Sequence, residues 1–226
     1  MEALLEAATR PEPPPLSDLV SPELLDQVPQ NLSELIALLP RADLYLQDEV
    51  QFDLHPTLTR VWCRRGREGQ RRVQTPGKNQ KFHGFGVVDW RDGWFHDVIA
   101  DRRTAAPFCE QVKAVVARSQ EHDRVAIVIA DNARIHTPEG SLLVRQLLEE
   151  QQGQLHIVYT PAYDPRSNPI EWLWKVSRRV VTHNHQRTEL KDLREDAKNH
   201  FRSLRDNPVG VLRHIGSPFA FTLAEA

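Results

Sequence analysis

Three acidic side chains, Asp48, Asp131 and Glu171, stand where reactive groups collect in open α/β sheets. Asp48 closes the run Leu44-Tyr45-Leu46-Gln47, and Asp131 directly follows the apolar run Val125-Ala126-Ile127-Val128-Ile129-Ala130. Glu171 falls in the first turn of a helical pattern that comes after Leu155–Tyr159. Carboxyl ends of strands are the usual place for functional groups in such sheets. Carboxylates gathered there suit hard divalent cations such as Mg²⁺, which prefer oxygen ligands. Two such ions can clamp the attacking and leaving oxygens of an in-line phosphoryl displacement, with no covalent nucleophile on the protein. Each acid also has an ordinary structural reading. An Asp after a strand serves as a turn residue or cap, and Glu171 fits a capping box behind Asn168. Glu49 is a rival to Asp48, because strand alternation sends the two to opposite faces, and spacing does not choose between them.

Around the three acids lie side chains with supporting chemistry. His136, five residues after Asp131, can bond a phosphate or a metal-bound water, or it can be structural. Lys175 and Arg178 follow Glu171 at helical spacings of four and seven. They can grip phosphates or simply pair with the glutamate. Trp174 reads as core, and Trp172 as core or as a stacking platform. His183-Asn184-His185 has no third ligand at suitable spacing and does not read as a zinc site.

The net charge of −2 conceals a strong asymmetry. Residues 1–59 hold eleven acids against Arg10 and Arg41, a net of −9, so residues 60–226 carry +7. The stretch 60–81 alone carries eight bases against Glu68, among them Arg64, Arg65, Arg67, Arg71 and Arg72. Such a cluster can neutralise nucleic-acid phosphates, or it can be a solvated basic hairpin.

These residues need elements to position them. Residues 44–49, 57–64, 82–90 and 94–99 read as strands, with Arg91-Asp92-Gly93 turning the last two into a hairpin. From Thr104 the period changes to that of a helix, with Phe108, Val112, Val115 and Val116 on one face. Residues 125–130 read as a strand buried on both faces. Thr137-Pro138 predicts a helix start, with Leu143, Leu147 and Leu148 lining a helix over 137–152. Strand 155–159 and a helix from Asn168-Pro169 follow, the helix carrying Ile170, Leu173, Trp174, Ser177 and Val181 inward. A last helix carries Leu190, Leu193, Ala197, Phe201 and Leu204. A β-meander followed by βα units predicts an α/β mixed sheet, part antiparallel and part parallel, flanked by helices. Ahead of it, Pro11-Glu12-Pro13-Pro14-Pro15 reads as a semi-rigid linker, with a short amphipathic helix ending at Pro40. The expected organisation is a stub and linker over 1–40, one domain over 41–220 and a tail over 221–226.

Apolar residues make up 40% of the chain, but no run approaches the ~20 residues of a membrane helix. The N-terminus has no signal-peptide pattern, and Cys63 and Cys109 form no disulfide framework. A cytoplasmic protein is expected. No Walker loop, nucleophile elbow or dinucleotide fingerprint is found.

The blocks Asp131-Asn132-Ala133-Arg134-Ile135-His136 and Asn168-Pro169-Ile170-Glu171-Trp172-Leu173-Trp174 resemble two motifs of bacterial insertion-sequence transposases of the mariner-related DDE superfamily. Gln47-Asp48-Glu49, followed by Trp62-Cys63-Arg64-Arg65-Gly66, resembles the first motif, and the likeness extends over roughly residues 40–220. It implies a ribonuclease-H-like fold, a catalytic and metal-binding triad at Asp48, Asp131 and Glu171, and Mg²⁺ or Mn²⁺, two ions in all. Asn132, His136 and Asn168 would support that triad, and Arg64, Arg65, Arg67, Arg71, Arg72, Lys175 and Arg178 would contact DNA. The implied reaction is cleavage at element ends and strand transfer into target DNA, at the nucleoid. A homodimer or a full-length transposase is the implied partner. Family members carry helix-turn-helix domains ahead of this core, and the chain as given begins just before the Pro-rich linker. The competing reading is a truncated, non-enzymatic remnant that binds DNA or transposase as an inhibitor.

Overall fold

The computed structural model describes residues 41–69, 72–161 and 168–222. The linker, the helix ending at Pro40 and Arg71 lie outside the described residues. Alternation in β1 (Ala42–Asp53) decides the layering. Leu44, Leu46, Val50 and Phe52 join one core, whereas Tyr45 joins the other. β1 is central in a five-stranded sheet of order β3-β2-β1-β4-β5. β2 (Lys81–Asp89) and β3 (Phe95–Ala100) continue it as an antiparallel meander. β4 (Val125–Ala130) and β5 (Leu155–Tyr159) extend the other edge in parallel. All of β4 is buried, as its unbroken apolar run predicts for a strand covered on both faces.

Helices α1 (Ala105–Glu121) and α2 (Leu142–Glu150) cover the face to which Tyr45, Phe85 and Val128 contribute. Helices α3 (Ile170–Val181), α4 (Leu190–Arg205) and α5 (Pro208–His214) cover the other. A short α6 (Phe219–Thr222) follows. The expected inward faces of α1, α3 and α4 are buried, except that Leu190 is only partly so. No described helix is long and apolar enough to cross a membrane.

Three local expectations are corrected. Residues 57–64 form no strand beyond a single bridge between Thr57 and His183. Their backbone groups are taken elsewhere. The Thr57 amide donates to the Thr182 carbonyl at 2.9 Å, and the Asn184 side chain both accepts from the Thr59 amide and donates to its carbonyl. A strand cannot pair with β2 when its donors and acceptors are so engaged. Second, the helix expected from Thr137 begins at Leu142. Thr137 closes a turn instead, accepting from the Gly140 and Ser141 amides. A Cβ on Gly140 would stand 2.0 Å from the Arg134 carbonyl oxygen, so this turn depends on glycine. Third, the shifted start turns Val144 and Leu147 inward and leaves Leu143 half exposed. Helices α5 and α6 have no counterpart in the sequence reading.

Candidate active site

The last rung between β1 and β4 pairs Leu46 with Ile129. Two residues beyond that rung in each chain segment stand Asp48, midway along β1, and Asp131, just past β4, so parallel pairing carries both acids to the point where the β1–β4 ladder ends. The third acid arrives on α3. Asn168, itself buried, donates from Nδ2 to the Gln47 carbonyl at 2.8 Å and accepts from the Ile170 amide at 3.4 Å. One side chain thus ties the start of α3 to the strand residue next to Asp48. Glu171 follows in the first turn of the helix.

Alternation separates Asp48 from Glu49. Asp48 faces α3, where its Oδ2 accepts from the Trp174 indole Nε1 at 3.1 Å. Burial pushes its pKa up to about 8, and the charges of Glu49, Glu171 and Asp131 push the same way. The neutral form is therefore favoured at pH 7. The opposing acids come from three separate parts of the chain, and all act on one carboxyl group.

Glu49 faces the other way, into a ring of four charged groups. His136 is fully buried, with Nδ1 at 2.5 Å from Asp131 Oδ1 and Nε2 at 2.7 Å from Glu49 Oε1. Arg103 closes the ring on the outer side, donating to Glu49 Oε2 at 2.7 Å and to Asp131 Oδ2 at 3.2 Å. Burial alone would disfavour the imidazolium, but its two carboxylate partners outweigh that and raise the His136 pKa to about 9. Burial likewise disfavours the carboxylates, and the His136 bonds again win. Asp131 falls to about 2, and Glu49 falls below the ordinary range. Inside the ring Gln47 Nε2 donates to Glu49 Oε1 at 3.1 Å, and Phe108 packs on the imidazole at 4.4 Å between ring centroids.

The expected residues do not all converge. Asp48, Asp131, Glu171, Asn168 and His136 gather where the β1–β4 ladder ends. The ring nitrogens of His136 go to Asp131 and Glu49 rather than to a phosphate. Asn132 is exposed beside Asp131. Arg178 pairs with Glu171 at 3.5 Å, while the Lys175 ammonium sits 3.6 Å from the centroid of the exposed Trp172 ring. Arg64, Arg65, Arg67 and Arg72 are exposed on the connection between β1 and β2. Sequence reading missed Arg103, Glu49 as a partner of His136, and Trp174 as a donor to Asp48. Adjacency to Asp48 was the only local signal for Glu49.

Among the described residues, no three His, Cys, Asp or Glu side chains stand ready-placed around one cation position. The donor chemistry fits a hard cation all the same, because mutual repulsion among these carboxylates is what a divalent charge relieves. The Asp131 and Glu171 side chains are 43% and 35% exposed, enough to be reached from solvent.

The packing of Trp174 gives a direct check. Gly86 is paired with Asp48 across β1 and β2, and a Cβ there would meet Trp174 Cη2 at 2.2 Å. Gly86→Ala is expected to displace the indole and to cost about 1–3 kcal/mol by overpacking, measured by urea denaturation. An unchanged midpoint would mean that the ring is not held against this strand.

Residues 43–194 match the family described as DDE superfamily endonuclease. A curated relative, the insertion element IS630 uncharacterized 39 kDa protein of Shigella sonnei, is 26% identical over 167 residues, which are 74% of this chain and 47% of that protein. The chain therefore spans about half the length of this relative. Among solved structures, the Mos1 mariner paired end complex with Mn superposes with a TM-score of 0.55 at 15% identity, over 96% of this chain and 64% of that one. The Mos1 strand transfer complex gives 0.53 at 16%, over 99% and 66%. The sheet and its flanking helices are thus the ribonuclease-H-like fold.

Proposed function

The chain belongs to the DDE superfamily endonuclease family, and from that premise we propose that it is a transposase catalytic core, with residues 41–220 as its catalytic domain, cutting and joining DNA by in-line phosphoryl transfer. The observation that carries this reading is the gathering of acids around Asp48, a partly buried carboxyl group whose ionisation Glu49, Glu171 and Asp131 all oppose. Asp48, Asp131 and Glu171 are the proposed ligands of Mg²⁺ or Mn²⁺. Bound there, such ions would supply charge neutralisation to the displaced phosphate. The protein's own part is placement. Trp174 holds one oxygen of Asp48, His136 holds one oxygen of Asp131, and Asn168 anchors the helix that carries Glu171.

The proposed substrates are element ends and target DNA, with a second copy or a full-length transposase as partner. The exposed Arg64, Arg65, Arg67 and Arg72 supply backbone contacts that carry no sequence information and weaken with salt. Arg178, which pairs with Glu171 at 3.5 Å, is the further proposed phosphate contact.

The test is nicking of supercoiled DNA, and of linear DNA bearing the element's own ends, with and without Mg²⁺ or Mn²⁺. Wild-type protein is expected to nick only with metal. Asp131→Ala and Glu171→Ala are each expected to lower the rate by about 10²–10³-fold or more, the scale for losing a group that stabilises transition-state charge. Metal-dependent nicking that survives both substitutions would overturn the assignment.

A further inference from the structure

We propose that Glu49 and His136 are a positioning pair for Asp131, holding its Oδ1 from the protein interior so that Oδ2 faces outward to the cation. The inference rests on the metal reading above and assigns a role to the acid beside Asp48. Its basis is geometric. The His136 side chain is wholly buried, and Glu49 is nearly so at 4% exposure, yet 43% of the Asp131 side chain remains exposed. His136 reaches Asp131 Oδ1 through Nδ1 and Glu49 Oε1 through Nε2, so it stands between them as a strut. The strut is itself fixed. Gln47 donates to Glu49 Oε1, Gln111 donates to the His96 carbonyl at 3.2 Å and lies within bonding distance of Gln47, and the Tyr159 hydroxyl donates to the His136 carbonyl at 2.8 Å. The Ala133 amide donates to the same Asp131 Oδ1 at 3.0 Å.

Among the described residues, the buried contacts of the Asp131 carboxylate therefore fall on one oxygen, and the partner of the other oxygen is the half-exposed Arg103. Metal ligands held by an outer carboxylate through an imidazole follow the same physical logic, since fixing one atom of a ligand aims the other. Glu49 is thereby a positioning residue that acts through His136, and it is not itself a ligand.

Mn²⁺ titration of the full chain, followed by electron paramagnetic resonance of the free ion, tests this. Circular dichroism establishes that each variant is folded. Glu49→Gln and His136→Phe are each expected to weaken Mn²⁺ binding by about 10-fold or more, the usual scale for an outer partner of a metal ligand. The Glu49→Gln/His136→Phe double variant is expected to bind within about two-fold of His136→Phe alone, because the link that remains, Arg103, ends on Asp131 Oδ2 and does not hold Oδ1. Should His136→Phe not fold, His136→Gln replaces it in the cycle, since its amide cannot reproduce both bonds. Folded single variants with unchanged Mn²⁺ affinity would overturn the inference and leave the pair structural. Equal weakening by Glu49→Gln in both backgrounds would also overturn it, by making Glu49 a ligand. Asp131→Ala separates the two levels. Wild-type binding that is lost in Asp131→Ala but unmoved by Glu49 or His136 sinks the positioning role alone. No Mn²⁺ binding by wild type, or none that depends on Asp131, sinks the metal reading and this inference with it.

Discussion

Asp48→Asn is expected to abolish metal-dependent strand cleavage while making the metal-free protein more stable above neutral pH. The two effects have one cause. Burial and three neighbouring acids hold the Asp48 pKa at about 8, against 3.8 for the free side chain. Between those values the folded state holds a proton that the unfolded chain has released. Stability favoured by that proton is fully present below about pH 4 and is lost as pH rises through 8. The asparagine variant has no such slope. Its melting temperature should exceed that of wild type at pH 8 by several degrees, corresponding to a few kcal/mol at most. Added Mn²⁺ should raise the wild-type melting temperature more than the variant's, since the variant lacks one of the three carboxylates that gain from a cation. Equal pH dependence of the two proteins would show that Asp48 is not a strained carboxyl group.

Trp174→Ala should destabilise the fold by about 3–5 kcal/mol, the range for removing a fully buried large aromatic side chain. The indole packs against Phe95 and Phe201 and lies over Gly86, so its removal opens a void between α3 and the sheet. It also removes the donor to Asp48 Oδ2. Trp174→Phe should retain much of the packing yet lose that bond. Cleavage by the phenylalanine variant is therefore expected to fall more than its urea midpoint does. Parallel losses in both variants would reduce Trp174 to a packing residue.

The layers of this fold were legible because their patterns are local. The unbroken apolar run 125–130 announced a strand covered on both sides, and the inward faces of α1 and α3 followed from a period of 3.6. The strand expected at 57–64 has the right residue types, but its backbone bonds go to Thr182 and Asn184, more than a hundred residues away. No local pattern encodes that. Alternation foretold that Asp48 and Glu49 point to opposite faces, but not which face carries Glu171. That became visible once Leu44, Leu46 and Val50 were seen to pack with Trp174 and Leu173. His136 stood five residues from one partner and 87 from the other. Sequence proximity hinted at the first and was silent on the second. The Trp174 bond to Asp48 spans 126 residues and depends on the bare Cα of Gly86.

Anomalous diffraction from a crystal grown or soaked in Mn²⁺, recorded above the manganese edge, tests the shared site directly. Density for one or two ions coordinated jointly by Asp48, Asp131 and Glu171 is the predicted result. Manganese bound elsewhere, or held by Asp131 while Asp48 stays bonded only to the Trp174 indole, would contradict it.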